Sequence, residues 1–413
     1  MGCLSIDSNY NRHTKGALQF TGTLSLKYQT SFVVNHSSRK SEFRTRLELP
    51  TYKCMVKTCI ICGKMPVVKT MEHVLPEWLL RETGDPNRQV HLSTHYDPDE
   101  ESVTDRRFAF SNFVFPACDS CNNEFGALES SVKPVVLSLL EGKPVDAIGM
   151  DSLLQWLDKI RIGLWLAELE LGGNPLGINP NFHIRQRLGT SDRAVFIMRA
   201  INEEALTVIG TRTFCFAYMP SVFAIRINGL VLFNASSDFL FSKRMGFPYL
   251  ENKKWNEETA PIWFGNMEPG SGVHKLPLIP FSFRLQATKF FQPMFTVTLE
   301  RPQLRRLYEN EFVRAASMDW LNGRGQVFFQ HGNSIQIYAG QHSNIESYFY
   351  WDAAPVSPLK LQDTVLDWQV RLMQKDYPKR PGERRFSAGQ LAAMQFNKTI
   401  IKNNKQKRRR NRS

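Results

Sequence analysis

Residues 59–76, CIICGKMPVVKTMEHVLP, and 118–126, CDSCNNEFG, hold most of the recognisable chemistry of this chain. Cys59-Ile-Ile-Cys62 and Cys118-Asp-Ser-Cys121 are two CxxC pairs. A two-residue gap lets both sulfurs of a pair turn toward one tetrahedral ion, and four thiolates close the coordination sphere, which is the pattern of a structural zinc site. The plainer alternative is a set of four buried, unliganded thiols. The chain has seven cysteines, at positions 3, 54, 59, 62, 118, 121 and 215. An odd number with four in CxxC pairs suits a reducing compartment and a metal better than a disulfide framework. Such a staple joins distant segments and adds binding free energy to a small module.

Between the two pairs lies Glu72-His73-Val74-Leu75-Pro76, and Asn122-Asn123-Glu124-Phe125-Gly126 follows the second. Taken singly, a Glu-His pair is an ordinary hydrogen-bonding pair, and an asparagine at that place an ordinary helix-capping residue. Taken in order, CxxC, EHxxP and CxxCN resemble the HNH superfamily of ββα-metal nucleases, in the subgroup whose CxxC knuckles flank an acid-histidine pair. The resemblance covers about a fifth of the chain and implies a zinc-stapled ββα-metal (HNH/treble-clef-like) module. It further implies that Glu72 and Asn122 hold a catalytic divalent cation, while His73 is the general base that activates water. Hard oxygen ligands favour Mg2+ or Mn2+ there, with Ni2+ or Zn2+ as alternatives. An imidazole can accept the proton of the attacking water while the cation stabilises charge on the phosphate. The middle Asn of the family pattern, which orients the His loop, is matched by Asn112. The chain departs from the pattern in carrying Glu for the usual Asp, a long stretch from His73 to Cys118, and no basic residue shortly after the second knuckle.

With 413 residues, 42% hydrophobic and 12% aromatic, the chain has material for two or three buried cores. No run of eighteen apolar residues occurs and the N-terminal stretch lacks the apolar centre of a secretory signal, so neither membrane insertion nor export is expected. The net charge is +13. Residues 1–54 hold eight Lys/Arg against three Asp/Glu, and residues 384–413 hold ten Lys/Arg and no acid, leaving the body at −2. Basicity therefore sits at the ends. Lys407, Arg408, Arg409 and Arg410 are candidate phosphate contacts or a nuclear-type address, against the alternative of a solvated tail. Arg106 and Arg107 are further candidate nucleic-acid contacts.

The expected organisation is α+β throughout. Residues 1–54 read as a weakly structured basic extension; their low acid content also fits an organellar transit peptide, and Met55 could be a start. Residues 55–142 form the nuclease-like module: a short hairpin over Met65–Val74, a helix opening at Pro76, a loop containing Pro86 and Pro98, an extended run Phe108–Phe115, and a helix after Cys121 that Pro134 kinks or splits. Residues 150–383 form a larger α+β domain, with a helix over 151–171 and antiparallel strands near 194–200, 205–218, 222–227, 230–234, 294–299, 326–331 and 335–338, Asn228-Gly229 being a two-residue hairpin turn. Helices are expected near 303–320 and 359–375, and residues 384–413 read as a disordered basic tail.

The function expected is metal-dependent cleavage of nucleic acid, DNA before RNA, by an intracellular protein, cytoplasmic or, in a eukaryote, nuclear or organellar. One rival is a zinc-stabilised nucleic-acid-binding protein without turnover; the other is an interaction protein whose zinc module is purely structural.

Overall fold

The chain leaves the first cysteine pair through Gly63, whose φ of 78° closes a knuckle in which the Cys59 N–H donates to the Lys64 carbonyl and the Gly63 N–H to that of Cys59. The structure, a computed structural model, describes residues 58–97, 102–171, 184–189, 191–200, 206–256, 262–268, 287–294, 324–331, 334–339, 356–376 and 387–410. The extension expected over 1–54 and the helix expected near 303–320 lie outside the described residues.

After the knuckle come β1 (Lys69–His73), α1 (Glu77–Glu82), β2 (Gln89–Asp97), β3 (Ser102–Ala109), a 3-10 turn at Phe110–Asn112, β4 (Val114–Cys118) and α2 (Asp119–Leu140). β1 does not form the local hairpin expected over Met65–Val74. It pairs antiparallel with β4, with Glu72 opposite Phe115 and His73 opposite Val114. The expected loop around Pro86 to Pro98 is in part the β2–β3 hairpin. Pro76 stands at the N-cap position of α1, just before the first turn in which it was expected, and makes no side-chain capping bond. α2 buries Phe125, Val132, Val136 and Leu139 at helical spacing and runs unbroken through Pro134. Pro134 and Ser130, whose carbonyl loses its partner, are both exposed, so water can take the missing bond.

α3 (Ala147–Leu171) is buried around most of its circumference, with Leu153, Leu154, Trp156, Leu157, Ile160 and Leu164 at zero exposure. A helix apolar on so many sides must be covered on several. One side meets the cysteine segment and α2; another meets a seven-stranded sheet. Beyond α4 (Ile184–Arg187), that sheet is built from β5 (Asp192–Arg199), β6 (Leu206–Ile209), β7 (Val222–Ile227) and β8 (Leu230–Ser237), with α5 (Phe214–Tyr218) between β6 and β7 and α6 (Ser242–Met245) after β8. β9 (Tyr249–Asn256) and β10 (Ile262–Glu268) pair with each other, and β11 (Thr288–Gln292), β12 (Phe328–His331) and β13 (Ser334–Ile337) complete the sheet. Its order is β13-β12-β11-β5-β8-β7-β6, all antiparallel. Asn228 at φ 50° makes the expected turn. The segment expected as one strand to Tyr218 instead closes into α5, where the Thr213 hydroxyl accepts from the Phe216 N–H.

Alternate residues of the sheet feed two cores. Val195, Ile197, Phe223 and Leu232 join one continuous cluster with α3 and the cysteine segment. Phe196, Phe233 and Phe291 join another with Trp368 of α7 (Pro358–Asp376). The boundary expected between residues 142 and 150 is therefore not a break in the core. α8 (Ala388–Arg410) packs on α7 and α5. It replaces most of the expected disordered tail: Ala393, Met394, Asn397 and Asn404 form a buried stripe that a chain viewed only for apolar content does not reveal. No helix among the described residues is long and apolar enough to cross a membrane.

Candidate metal centre and histidine cleft

The two cysteine pairs converge because β1 and β4 are antiparallel neighbours. Lys69 lies opposite Cys118, so the start of β1, the knuckle before it, the end of β4 and the first turn of α2 share one end of the unit. The Ile60 N–H donates to the Pro116 carbonyl at 2.9 Å, and Ile60 and Ile61 carbonyls accept from the Ile184 and Arg185 N–H groups. One ligand atom from each of Cys59, Cys62, Cys118 and Cys121 lies within 4.8 Å of all the others. The Cys62 and Cys118 sulfurs are 3.9 Å apart. Four sulfurs at 2.3 Å from a zinc ion form a tetrahedron with edges of about 3.8 Å, so the set fits a structural zinc ion.

Burial and hydrogen bonding act differently on two of the thiols. Burial pushes the Cys59 thiol up, but the backbone N–H groups of Cys62, Cys118 and Ile61 bring it down to about 7. Cys118 and Cys121 stand at the N-terminus of α2, and burial pushes the Cys121 thiol up to about 12 against the opposing hydrogen bond from Arg185. Arg185 of α4 donates to the Cys121 sulfur at 3.4 Å and pairs with Glu124 at 2.5 Å. A guanidinium there offsets the excess negative charge of a four-thiolate zinc centre.

Glu72 and His73 are consecutive on β1 and part company. Glu72 turns inward, 5% exposed, and pairs with Lys159 of α3. The same ammonium pairs with Glu129 of α2 and donates to the His73 carbonyl at 3.2 Å. Burial pushes the Glu72 carboxyl above its ordinary range, and Lys159 opposes that shift. His73 is half-buried and lines an open cleft of about 340 Å³ with Glu77, Leu80, Arg81, Pro86, Asn87 and Ser111. Arg81 and Glu77 form an exposed ion pair across one turn of α1. α1 is steadied from behind by Trp78 stacked on Trp156, ring centroids 6.2 Å apart.

Asn122 is half-buried in the first turn of α2. Neither it nor Glu72 lines the histidine cleft. Asn112 ends the 3-10 turn with its side chain exposed; the bond tying this segment to the His73 loop is instead Val74 N–H to the Phe113 carbonyl at 2.9 Å. Arg106 and Arg107 are residues of β3. α8 spreads the four tail cations around its axis, and Arg408 turns inward to Asp363 at 2.5 Å.

Sequence reasoning missed Lys159, Glu129 and Arg185. A usable signal for the first existed: Asp158-Lys159 and Arg161 interrupt the largely apolar run of α3 from Leu153 to Ala167, and a charge in such a run needs a buried partner. Compared with protein-family models, with curated proteins and with solved structures, the chain matches none.

Proposed function

We propose that this chain is a metal-dependent endonuclease of the HNH type that hydrolyses phosphodiester bonds in nucleic acid, DNA before RNA, with His73 as general base. The observation that carries the reading is the position of His73 at the end of β1, facing a polar cleft, on the same strand-strand-helix unit whose other end gathers four thiols. Zinc held by four sulfurs has no open position, so it fixes the unit and takes no part in the chemistry. In the cleft, the His73 imidazole can accept a proton from water, and Arg81, Asn87 and Ser111 are polar groups within the same walls that can meet a phosphate. Arg106, Arg107 and the basic end of α8 are the further nucleic-acid contacts of this reading. The five described cysteines, none of them in a disulfide, accord with an intracellular setting.

A divalent cation in such a site would be Mg2+ or Mn2+, with Glu72 and Asn122 as its holders by resemblance. Glu72 as placed does not fit that role, because its carboxylate is buried and already neutralised by Lys159. No step of hydrolysis is assigned to the cation. That ion pair favours a second reading, a zinc-stabilised nucleic-acid-binding protein without turnover.

Zinc-loaded full chain, incubated with supercoiled plasmid or structured RNA in Mg2+ or Mn2+, separates the two. Under the first reading the wild type nicks or cleaves, and His73→Ala lowers the rate by at least about a hundredfold while binding is kept. Binding by both proteins with no cleavage in either metal establishes the second.

A further inference from the structure

α8 carries no acidic residue over Ala388–Arg410 and seven basic ones. Beside the apolar Ala393 and Met394, its inner stripe holds hydrogen-bonded polar groups. Asn397 donates to the Leu366 carbonyl and to Gln369, Asn404 donates to Gln362 and Asp363, and Arg408 pairs with Asp363. These bonds fix which side of the helix faces α7. At about 100° per residue, Lys398, Lys402, Lys405 and Arg409 then fall within an arc of about 60°, roughly a quarter-turn round from that contact. All four are exposed, and no acidic partner is found for any of them among the described residues. Lys407 projects on the opposite flank.

We infer that Lys398, Lys402, Lys405 and Arg409 form a rigid phosphate-tracking stripe for the backbone of duplex DNA. Four cations along about 16 Å of helix axis span roughly five base-pair steps of duplex at 3.4 Å rise each. The side chains on its outer edge, Gln395, Thr399 and Gln406, are polar; of the exposed apolar residues of α8, Phe396 lies on the opposite flank against Phe214 and Leu391 stands two turns before Lys398, so the cationic stretch from Lys398 to Arg409 itself carries no apolar anchor of the kind a protein interface needs. Because the helix is docked by its asparagines, the cations are presented in register instead of on a mobile tail. The stripe binds backbone without reading sequence. It deepens the nucleic-acid reading above but requires no turnover at His73.

The test measures affinity of the zinc-loaded full chain for a labelled 20-base-pair duplex of arbitrary sequence by fluorescence anisotropy over a salt series. Lys398→Gln/Lys402→Gln/Lys405→Gln is compared with Lys133→Gln/Lys143→Gln/Lys360→Gln, which removes the same charge from exposed positions elsewhere. The stripe variant should flatten the slope of log affinity against log salt by about 2 to 3, and the control by less than about 1. Circular dichroism verifies that both variants are folded. Equal losses in the two variants, stripe-dependent capture of polyglutamate as strong as that of DNA, or no salt-sensitive binding by the wild type would each overturn the proposal. The anisotropy series is run without divalent cation, so it reads binding alone, and a failure of cleavage and a failure of the stripe are read separately.

Discussion

Lys159 is the residue on which the neighbourhood of His73 turns. Its ammonium is 2% exposed and meets two carboxylates and one carbonyl, contributed by α2 and β1. Taking such a charge out of water is costly, and it is tolerated only where partners of opposite sign surround it. The pair's net worth against an apolar substitute is small, but removing one member strands the rest. Lys159→Met should therefore lose about 3–5 kcal/mol in urea denaturation at neutral pH, because Glu72 and Glu129 are left facing each other in a dry setting. Adding Glu72→Gln to that variant should recover part of the loss. A cost under about 1 kcal/mol for Lys159→Met would show that the carboxylates reach water, and the buried-pair account would fall. The zinc ligands were legible in sequence because their chemistry is written in a two-residue gap. The Glu72–Lys159 pair was not, since its members belong to different elements and nothing in the local spacing of either names the other.

At the scale of elements, α3 comes close to the loop after β1 at Gly163. A Cβ placed on Gly163 would stand 3.0 Å from one methyl of Val74, the residue that follows His73. Glycine at this point lets α3 close against the strand end, and helix propensity alone would favour alanine there. Gly163→Leu should cost about 1–3 kcal/mol by overpacking and displace the His73 loop. The displacement can be followed as a shift of the His73 imidazole resonances in NMR spectra of the zinc-loaded protein; unshifted resonances at unchanged stability would refute the contact. The same scale explains what the sequence concealed. β1 was recognisable as an extended segment, and α3 and α7 as helices, because each announces itself by its own period, whereas the extended run expected over Phe108–Phe115 is broken by the 3-10 turn and meets β4 only at Val114 and Phe115. The β1–β4 pairing was hidden by the α1 and β2–β3 insertion between them. α8 was hidden because its inward stripe, Asn397, Asn404 and Arg408, is made of residues that read as solvent-facing until the acceptors on α7 are seen.

For the whole molecule, the decisive feature is that the cysteine segment has no core of its own. Cys59, Ile61, Phe115 and Phe125 belong to the same cluster as Leu157 of α3 and Phe223 and Leu232 of the sheet, and residues Val56–Ser413 form one unit by their contacts. A zinc ion bound by four thiolates contributes its binding free energy to whichever cooperative unit contains the site. Were the module an independent domain, stripping the metal would melt it and leave the sheet's transition in place. With α3 buried between the two, loss of the staple exposes one side of that helix and weakens the sheet as well. Elemental analysis should return about one zinc per chain. Chelation of that zinc, or Cys62→Ser, should then lower the temperature of a single calorimetric transition. Two resolved transitions, with the upper one unmoved by chelator, would establish that the segments fold apart and that the shared core does not couple them.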